Sequence, residues 1–166
     1  MLTAIKNRRS VREYLAEPIK EEQLKEIISA AMCAPSANAI YPWELVVVKD
    51  VETKEKLSKV TPWSNHANEA SVVIAVIGNP TESPDWVEDC SIVADHIWLQ
   101  VSDLGLGSCW IQIRGNDNAE KSVKSILHIP DDRRVLCLMP IGTPVIPVVG
   151  RDEIDYDKSK IKNEKY

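Results

Sequence analysis

Residues 71–78, Ser-Val-Val-Ile-Ala-Val-Ile-Gly, contain the longest apolar run of the chain. Side chains of a strand point alternately to opposite faces, so the unbroken run from Val72 to Ile77 gives a strand two apolar faces. Strands of this kind are typical of the centre of a sheet that is covered on both sides. The segment therefore predicts a central strand, with helices from the neighbouring sequence packed above and below it.

Helical periodicity is clearest before this strand. Leu24, Ile27 and Ala31 recur at the spacing of one helix face, and charged residues occupy the opposite face. The pattern predicts a helix over residues 21–32, and Pro35 marks a point beyond which the helix does not continue.

The remaining elements alternate along the chain. Further helices are expected over residues 53–60, 88–104 and 118–127, and further strands over residues 45–48, 109–113 and 135–139. This alternation predicts one layered α/β or α+β domain around a single sheet. Gly105, which follows the longest helical pattern, is expected to serve as its C-terminal cap.

Composition and charge exclude several classes of function. The formal net charge of −5 argues against a nucleic-acid partner, because such binding rests on a basic surface. The longest apolar run is far too short to span a bilayer, and the charged N-terminus does not resemble a signal peptide. The four cysteines lack the spacing of metal ligands, so we expect free thiols in a reducing cytoplasm.

Three arginines and a serine are concentrated in residues 8–12, Arg-Arg-Ser-Val-Arg. A guanidinium group presents a planar fork of donors that matches phosphate oxygens, and a neighbouring hydroxyl adds a further donor. The cluster is therefore suited to a phosphate monoester. Considered alone, a basic cluster of this kind is more often a solvated patch.

Two other segments attract attention for their small residues. Residues 34–43, Ala-Pro-Ser-Ala-Asn-Ala-Ile-Tyr-Pro-Trp, would let a backbone approach a flat ligand closely, although a plain helix-to-strand connection would look the same. Residues 105–112, Gly-Leu-Gly-Ser-Cys-Trp-Ile-Gln, close a helix, whereas a dinucleotide fingerprint opens one. No histidine or serine motif suggests hydrolysis, so an enzyme of this sequence would depend on a cofactor.

Taken together and in this order, the segments resemble the FMN-dependent nitroreductase family. Residues 8–12 are similar to its RRSxR element, residues 34–43 to its APSxxNxQPW loop, residues 105–110 to its GLGSCW turn, and residues 141–144 to its IGxP ending. The resemblance covers nearly the whole chain. It implies an α+β fold, a three-layer α/β/α sandwich with a single mixed sheet flanked by helices.

The resemblance also implies an assembly. Residues 1–166 would form one FMN-binding domain, and two copies would make an intertwined homodimer with FMN at the interface. Residues 143–166 would be a C-terminal extension that packs on the partner subunit. No membrane or nucleic-acid partner is expected.

The family pattern assigns contacts to residues of this chain. Arg8, Arg9 and Ser10 would hold the FMN phosphate and ribitol, and Arg12 would lie near the N1–C2 carbonyl side of the ring. Arg151 would add a late phosphate contact.

Two further segments would line the ring itself. The loop Pro35-Ser36-Ala37-Asn38 would come from the partner subunit. Ile111 and Gln112 would pass beside the flavin and offer a backbone N–H to N5. The chain departs from the pattern in this loop, because Ala39 takes the usual asparagine place and Tyr41 replaces the usual glutamine.

The resemblance implies an oxidoreductase that uses NADH or NADPH. Hydride would pass to flavin N5 and then, by a ping-pong sequence, to a flat electron-poor acceptor such as a nitroaromatic or a quinone. No side chain need act as acid or base. Three alternatives remain: related flavin chemistry such as dehalogenation or enoate reduction, a flavin-binding regulatory module with little turnover, and a scaffold without a cofactor.

Overall fold

The computed structural model describes residues 1–150 and 157–166. Its helices and strands follow one another in the order α1 (Thr3–Asn7), α2 (Glu21–Met32), β1 (Trp43–Val48), α3 (Val51–Leu57), β2 (Val72–Gly78), α4 (Trp86–Asp103), β3 (Gly107–Ser108), β4 (Ile111–Gln112), α5 (Asp117–Leu127) and β5 (Arg134–Gly142). Short 3₁₀ turns lie at Ala37–Ala39, Asn65–Ala67 and Lys158–Lys160.

The sheet is built around β2 and β5. The strand order is β1-β2-β5-β3, and β4 also pairs with β5. Every residue of β2 is buried, so the predicted central strand is confirmed. The expectation of a mixed sheet needs correction, because these five strands pair antiparallel and the parallel component is a single bridge between Ser10 and Ser108. A run of apolar residues fixes burial but not strand direction, and so the sequence could not separate the two arrangements.

Helices cover both faces of this sheet. On one face, Ile27 of α2 and Ile97 of α4 pack in one core cluster with Ile74 of β2. On the other face, Leu57 of α3 and Val123 of α5 belong to a second cluster. Alternate residues of β2 divide between the two clusters. The three-layer α+β arrangement is therefore confirmed.

Most expected elements are present with shifted ends. Helix α2 has the predicted bounds, whereas α3 begins earlier because Asp50 caps it, its carboxylate accepting hydrogen bonds from Thr53 N (2.8 Å) and Thr53 Oγ1 (2.6 Å). The strand expected over residues 109–113 is reduced to β4, β3 forms just before it, and β5 is longer than expected.

Gly105 terminates α4 as predicted. It adopts a positive φ of 71°, and its N–H donates to Ser102 O (3.2 Å), while Leu106 N donates to Val101 O (2.9 Å). This pair of bonds is the Schellman motif, which satisfies carbonyl groups at a helix end.

The chain after β5 returns first to its own N-terminal segment. Leu15 N donates to Thr143 O (2.8 Å), Val145 N donates to Glu13 O (3.2 Å), and Tyr14 forms a bridge with Pro144. Residues 157–166, by contrast, are exposed in the single chain. Among the described residues, none of the helices combines the length and apolar character needed to cross a membrane.

The half-buried pair of Glu120 and Arg134 joins α5 to the start of β5. Arg134 Nε and Nη2 donate to the carboxylate at 2.8 and 2.9 Å, and Val135 N donates at 2.9 Å. Burial alone would raise the pKa of Glu120, but the hydrogen bonds from Arg134 and Val135 outweigh burial and hold it below its ordinary value of 4.5. The carboxylate form therefore stabilises the folded chain.

We expect Glu120→Gln to lower the free energy of unfolding by about 2 kcal/mol at neutral pH, because bonds to a buried charge are lost. The stabilising effect of a lowered pKa is present above pH 4.5 and is lost as the pH falls through the folded-state value, so the difference from the parent protein should shrink below pH 4.5. Urea unfolding at several pH values measures this. Glu55→Gln, which breaks an exposed pair with Lys59, is the matched control and should leave the free energy of unfolding nearly unchanged, because solvent screens that pair.

Candidate functional site

Residues 8–12 are held against the second half of α4 and against β3. Trp98 Nε1 donates to Arg9 O (3.2 Å), and Ser102 Oγ, one turn further along the helix, donates to Ala4 O (3.0 Å). Val11 N donates to Ser108 O (2.9 Å), next to the parallel bridge of Ser10 and Ser108. The fold thus brings the arginine segment together with the 105–112 segment, two regions far apart in sequence.

The three arginines of this segment have different surroundings. The Arg8 guanidinium carbon lies 4.4 Å from the centre of the Trp98 ring. Arg9 turns inward and donates to three main-chain oxygens, those of Lys6 (3.0 Å), Arg8 (2.8 Å) and Val149 (3.4 Å). Arg12 is exposed. Within residues 1–150 and 157–166, no carboxylate forms an ion pair with any of these three arginines, so their positive charge is available to an anion.

A cavity of about 250 Å³ opens beside this segment. Its walls include Arg9, Trp98, Ser108, Thr143 and Val148. The Ser108 hydroxyl is fully buried and has no hydrogen-bond partner in the part of the chain that the structure describes. An unpaired buried hydroxyl costs about 1–3 kcal/mol, which a ligand oxygen would recover. The donor set of guanidinium groups and a free hydroxyl fits a phosphate monoester with its attached polyol.

The loop that contains Pro35 and Ser36 has a tightly specified shape. Ala37 N donates to Asp89 Oδ1 (2.9 Å), and Tyr41 N donates to Ser36 Oγ (2.8 Å). Three residues that are not glycine have positive φ, namely Asn38 (52°), Ala39 (54°) and Tyr41 (56°). Such residues persist only where surrounding contacts impose them, and they are concentrated at functional sites.

This loop does not meet the arginine segment within one chain. The loop is tied to Asp89 in the first turns of α4, whereas the arginines are tied to Trp98. Nine residues of helix separate these two anchors, which corresponds to about 14 Å along the axis. The two predicted halves of the site therefore lie at different positions along α4, and one copy of the chain does not join them.

Ile111 and Gln112 lie in β4 and pair with Leu138 and Cys137 of β5. The Ile111 side chain is buried, and the Gln112 side chain is exposed. Gln112 Oε1 accepts from Trp110 Nε1 (2.7 Å), and Gln112 Nε2 donates to Arg114 O (2.7 Å). The remaining predicted contact, Arg151, lies outside the described residues.

Arg12 influences a buried group of titratable side chains. Burial lowers the pKa of His66, and the positive charge of Arg12 acts in the same direction, so both favour the neutral imidazole. Burial raises the pKa of the Cys109 thiol, and Arg12 and a hydrogen bond with Ser10 oppose that rise only in part. At this end of the segment, Arg12 therefore carries the positive charge, and the pKa shifts of His66 and Cys109 favour their neutral forms.

The sequence matches a known family over most of its length. The sequence model of the nitroreductase family matches residues 5–70 and 60–143. The chain belongs to the nitroreductase family.

Relatives of this chain include proteins with assigned names. An archaeal relative from Methanothermobacter thermautotrophicus, provisionally named an NADH dehydrogenase/NAD(P)H nitroreductase, is 34% identical over 161 residues, which are 95% of this chain and 84% of that protein. A protein of Vibrio harveyi named NADPH-flavin oxidoreductase is 28% identical over 152 residues, which are 82% of this chain and 62% of that protein.

Solved structures agree with this assignment. The structure of an FMN-dependent nitroreductase from Clostridium difficile R20291 superposes with a TM-score of 0.94 at 34% identity and covers 100% of both chains. The nitroreductase fold that the sequence motifs implied is therefore confirmed.

Three residues of the chain lie beside the predicted site without belonging to a predicted contact. They are Trp98, which holds the arginine segment, Ser108, whose hydroxyl is unpaired, and Asp89, which fixes the loop. Trp98 and Asp89 occur within a helical pattern that explains them as ordinary helix residues. Ser108 lies inside the GLGSCW-like turn, which was the one available signal.

Proposed function

We propose that this chain is an FMN-dependent oxidoreductase that uses NADH or NADPH to reduce a flat, electron-poor acceptor such as a nitroaromatic or a quinone. The observation that carries the proposal is the Arg8–Arg12 segment docked on β3, beside a cavity lined in part by Ser108, whose buried hydroxyl is unpaired in the described residues. The names of the relatives from Vibrio harveyi and Clostridium difficile support the same cofactor.

The chain's own residues would bind the phosphate end of FMN. Arg8 supplies a guanidinium whose face is already covered by Trp98, so its edges remain for phosphate oxygens. Ser10 and Ser108 supply hydroxyl groups next to it. Arg9 contributes positive charge while its donors brace the backbone of the segment. Arg151 is proposed as a further phosphate contact.

The residues near the ring would tune and orient it. Arg12 would place a positive charge at the pyrimidine edge, where it would favour uptake of electrons by stabilising the negative charge that develops. The neutral state of His66 makes Arg12 the local source of that charge. Ile111 and Gln112 are proposed to pass beside the ring. When bound, FMN would supply the redox chemistry that links the nicotinamide to the acceptor.

Two copies of the chain would be needed to complete each site. The loop of residues 35–38 lies about 14 Å along α4 from the arginine anchor, so a loop from a partner subunit is proposed to face the ring. Of the 143–166 extension, the exposed residues 157–166 are proposed to pack on that partner, whereas residues 143–145 pair with the chain's own N-terminal segment. Four free cysteines, one of them exposed, suit a cytoplasmic protein.

A hybrid dimer tests whether the site is shared. Arg8→Ala should damage the arginine half, and Asn38→Pro should damage the loop half, because proline cannot adopt the φ of 52° found there. Each variant alone should bind FMN weakly. Co-expressed with two different tags, the hybrid should hold about one FMN tightly per dimer, since one site then receives both intact halves. A site contained in one chain would leave the hybrid as weak as its parents.

The visible absorption spectrum of the purified protein tests the function as a whole. We expect a yellow protein that releases FMN on denaturation and is bleached anaerobically by NADH or NADPH. Steady-state rates with a quinone, measured at several fixed donor concentrations, should give the parallel double-reciprocal lines of a ping-pong sequence. A colourless protein that takes up no added FMN would contradict the proposal.

The same measurement separates the alternative functions. A yellow protein that neither nicotinamide bleaches would indicate a flavin-binding module. Bleaching without turnover of quinones or nitroaromatics would favour related chemistry on another flat substrate. Tyr41 is the reason to test for this second outcome. It occupies the position where glutamine is usual, it is half-exposed, and its ring meets that of Trp43 edge-on with the ring centres 5.4 Å apart.

A further inference from the structure

Trp98 contacts the arginine segment in two chemically different ways. Its ring lies against the Arg8 guanidinium at 4.4 Å, and its Nε1–H donates to the Arg9 carbonyl oxygen at 3.2 Å. Trp98 is only partly buried, and it also lines the 250 Å³ cavity. A tryptophan that served only to fill the core would require neither contact.

The stacking contact determines how Arg8 can present its donors. A guanidinium group stacked on an aromatic face is attracted by the ring and keeps its N–H groups in the plane parallel to that ring. The five donors then point sideways from the stack, where phosphate oxygens can accept two of them at once. A free arginine side chain would lose rotamer freedom on binding, and the stack reduces that loss.

The hydrogen bond determines the path of the backbone. Because a trans peptide points its C=O and N–H in opposite directions, fixing the Arg9 carbonyl also fixes the direction of the Ser10 N–H. Ser102 holds Ala4 one helical turn beyond Trp98. Helix α4 therefore forms hydrogen bonds to both the start of α1 and the segment that follows α1.

We propose that Trp98 is a positioning residue that orients Arg8 and the Arg9–Ser10 peptide for the phosphate group of the flavin. This inference rests on the proposed function. It predicts that loss of Trp98 weakens binding of FMN much more than binding of riboflavin. Riboflavin has the same ring and ribityl chain but no phosphate.

Fluorescence titration of the flavin-free Trp98→Leu and Trp98→Phe variants with FMN and with riboflavin tests this prediction. Leucine removes both contacts, and we expect the Kd for FMN to rise about thirtyfold and that for riboflavin less than about threefold. Phenylalanine keeps a ring but loses the N–H, and it should raise the Kd for FMN about fivefold. In an Arg8→Gln background, Trp98→Leu should raise the Kd for FMN only about fivefold, the share of the lost N–H bond to Arg9, because the guanidinium that the ring orients is absent.

Trp86→Phe is the matched control. Trp86 lies on the same helix and has its own cation partner, Arg114 at 5.9 Å, and the substitution should leave the ratio of the two flavin affinities unchanged. Equal losses for FMN and riboflavin in both Trp98 variants, or an unchanged FMN affinity, would overturn the role of Trp98 alone. Parent protein that binds neither flavin would overturn the proposed function instead.

Discussion

An Arg8→Ala variant is expected to purify with almost no flavin and to bind added FMN about a hundredfold more weakly than the parent protein. The reason is the state of the guanidinium before binding. It lies against the Trp98 ring, and no carboxylate pairs with it within the described residues, so no ion pair has to be broken before it binds a phosphate. Hydrogen bonds to charged groups are worth about 1.5–3 kcal/mol each, and a bidentate pair would lose two.

Two companion variants make this measurement specific. Arg8→Lys keeps the charge but loses the planar fork, so FMN affinity should fall between that of alanine and that of arginine. Arg114→Ala removes the guanidinium that lies over Trp86, at 5.9 Å from the ring, and should leave FMN affinity unchanged. Visible absorption per protein and Kd by titration are the readouts. A fully yellow Arg8→Ala protein would exclude Arg8 from the site.

The elements that the sequence predicted best are those specified by local periodicity. Helix α2 has the predicted bounds of residues 21–32 because its apolar face and its ends are all marked in the sequence. The central position of β2 followed from its two apolar faces. Four motifs that are weak alone predicted the family by their order along the chain, and the match to the family's sequence model confirmed it.

The features that the sequence did not predict depend on contacts between distant segments. Nothing local distinguishes Trp98 from a core tryptophan, because its partner Arg9 lies 89 residues away in the sequence. Ala39 and Tyr41 adopt positive φ against their own preference, which only the surrounding structure can impose. The direction of the strands could not be predicted either, because an apolar run determines burial and not the direction of pairing.

Gly107 shows how one motif can contain two different constraints. The sequence suggested that residues 105–107 form a helix cap, and Gly105, with its φ of 71°, does so. Gly107 belongs to β3 instead, and its φ is not positive. A Cβ at this position would lie 2.7 Å from the Cβ and Cγ1 of Val11 and 2.8 Å from its Cγ2. The glycine therefore permits the close approach of the arginine segment to β3.

We expect Gly107→Ala to lower the free energy of unfolding by about 2–3 kcal/mol, because the crowded backbone must separate. The Val11 N to Ser108 O bond and the bridge of Ser10 and Ser108 lie beside the clash, so the arginine segment should shift and FMN affinity should fall as well. Thermal unfolding of the flavin-free protein and FMN titration measure the two effects separately.

Gly105→Ala is the matched control, two residues away in the same motif. A Cβ there would meet no atom within 4 Å, but the positive φ would strain an alanine by about 1–2 kcal/mol. This variant should lose stability and keep its FMN affinity. Val11→Ala should not rescue Gly107→Ala because the clashing Cβ remains, whereas Val11→Gly should restore part of the affinity. If both glycine variants kept full FMN affinity, the contact between Gly107 and Val11 would have no part in positioning the arginines.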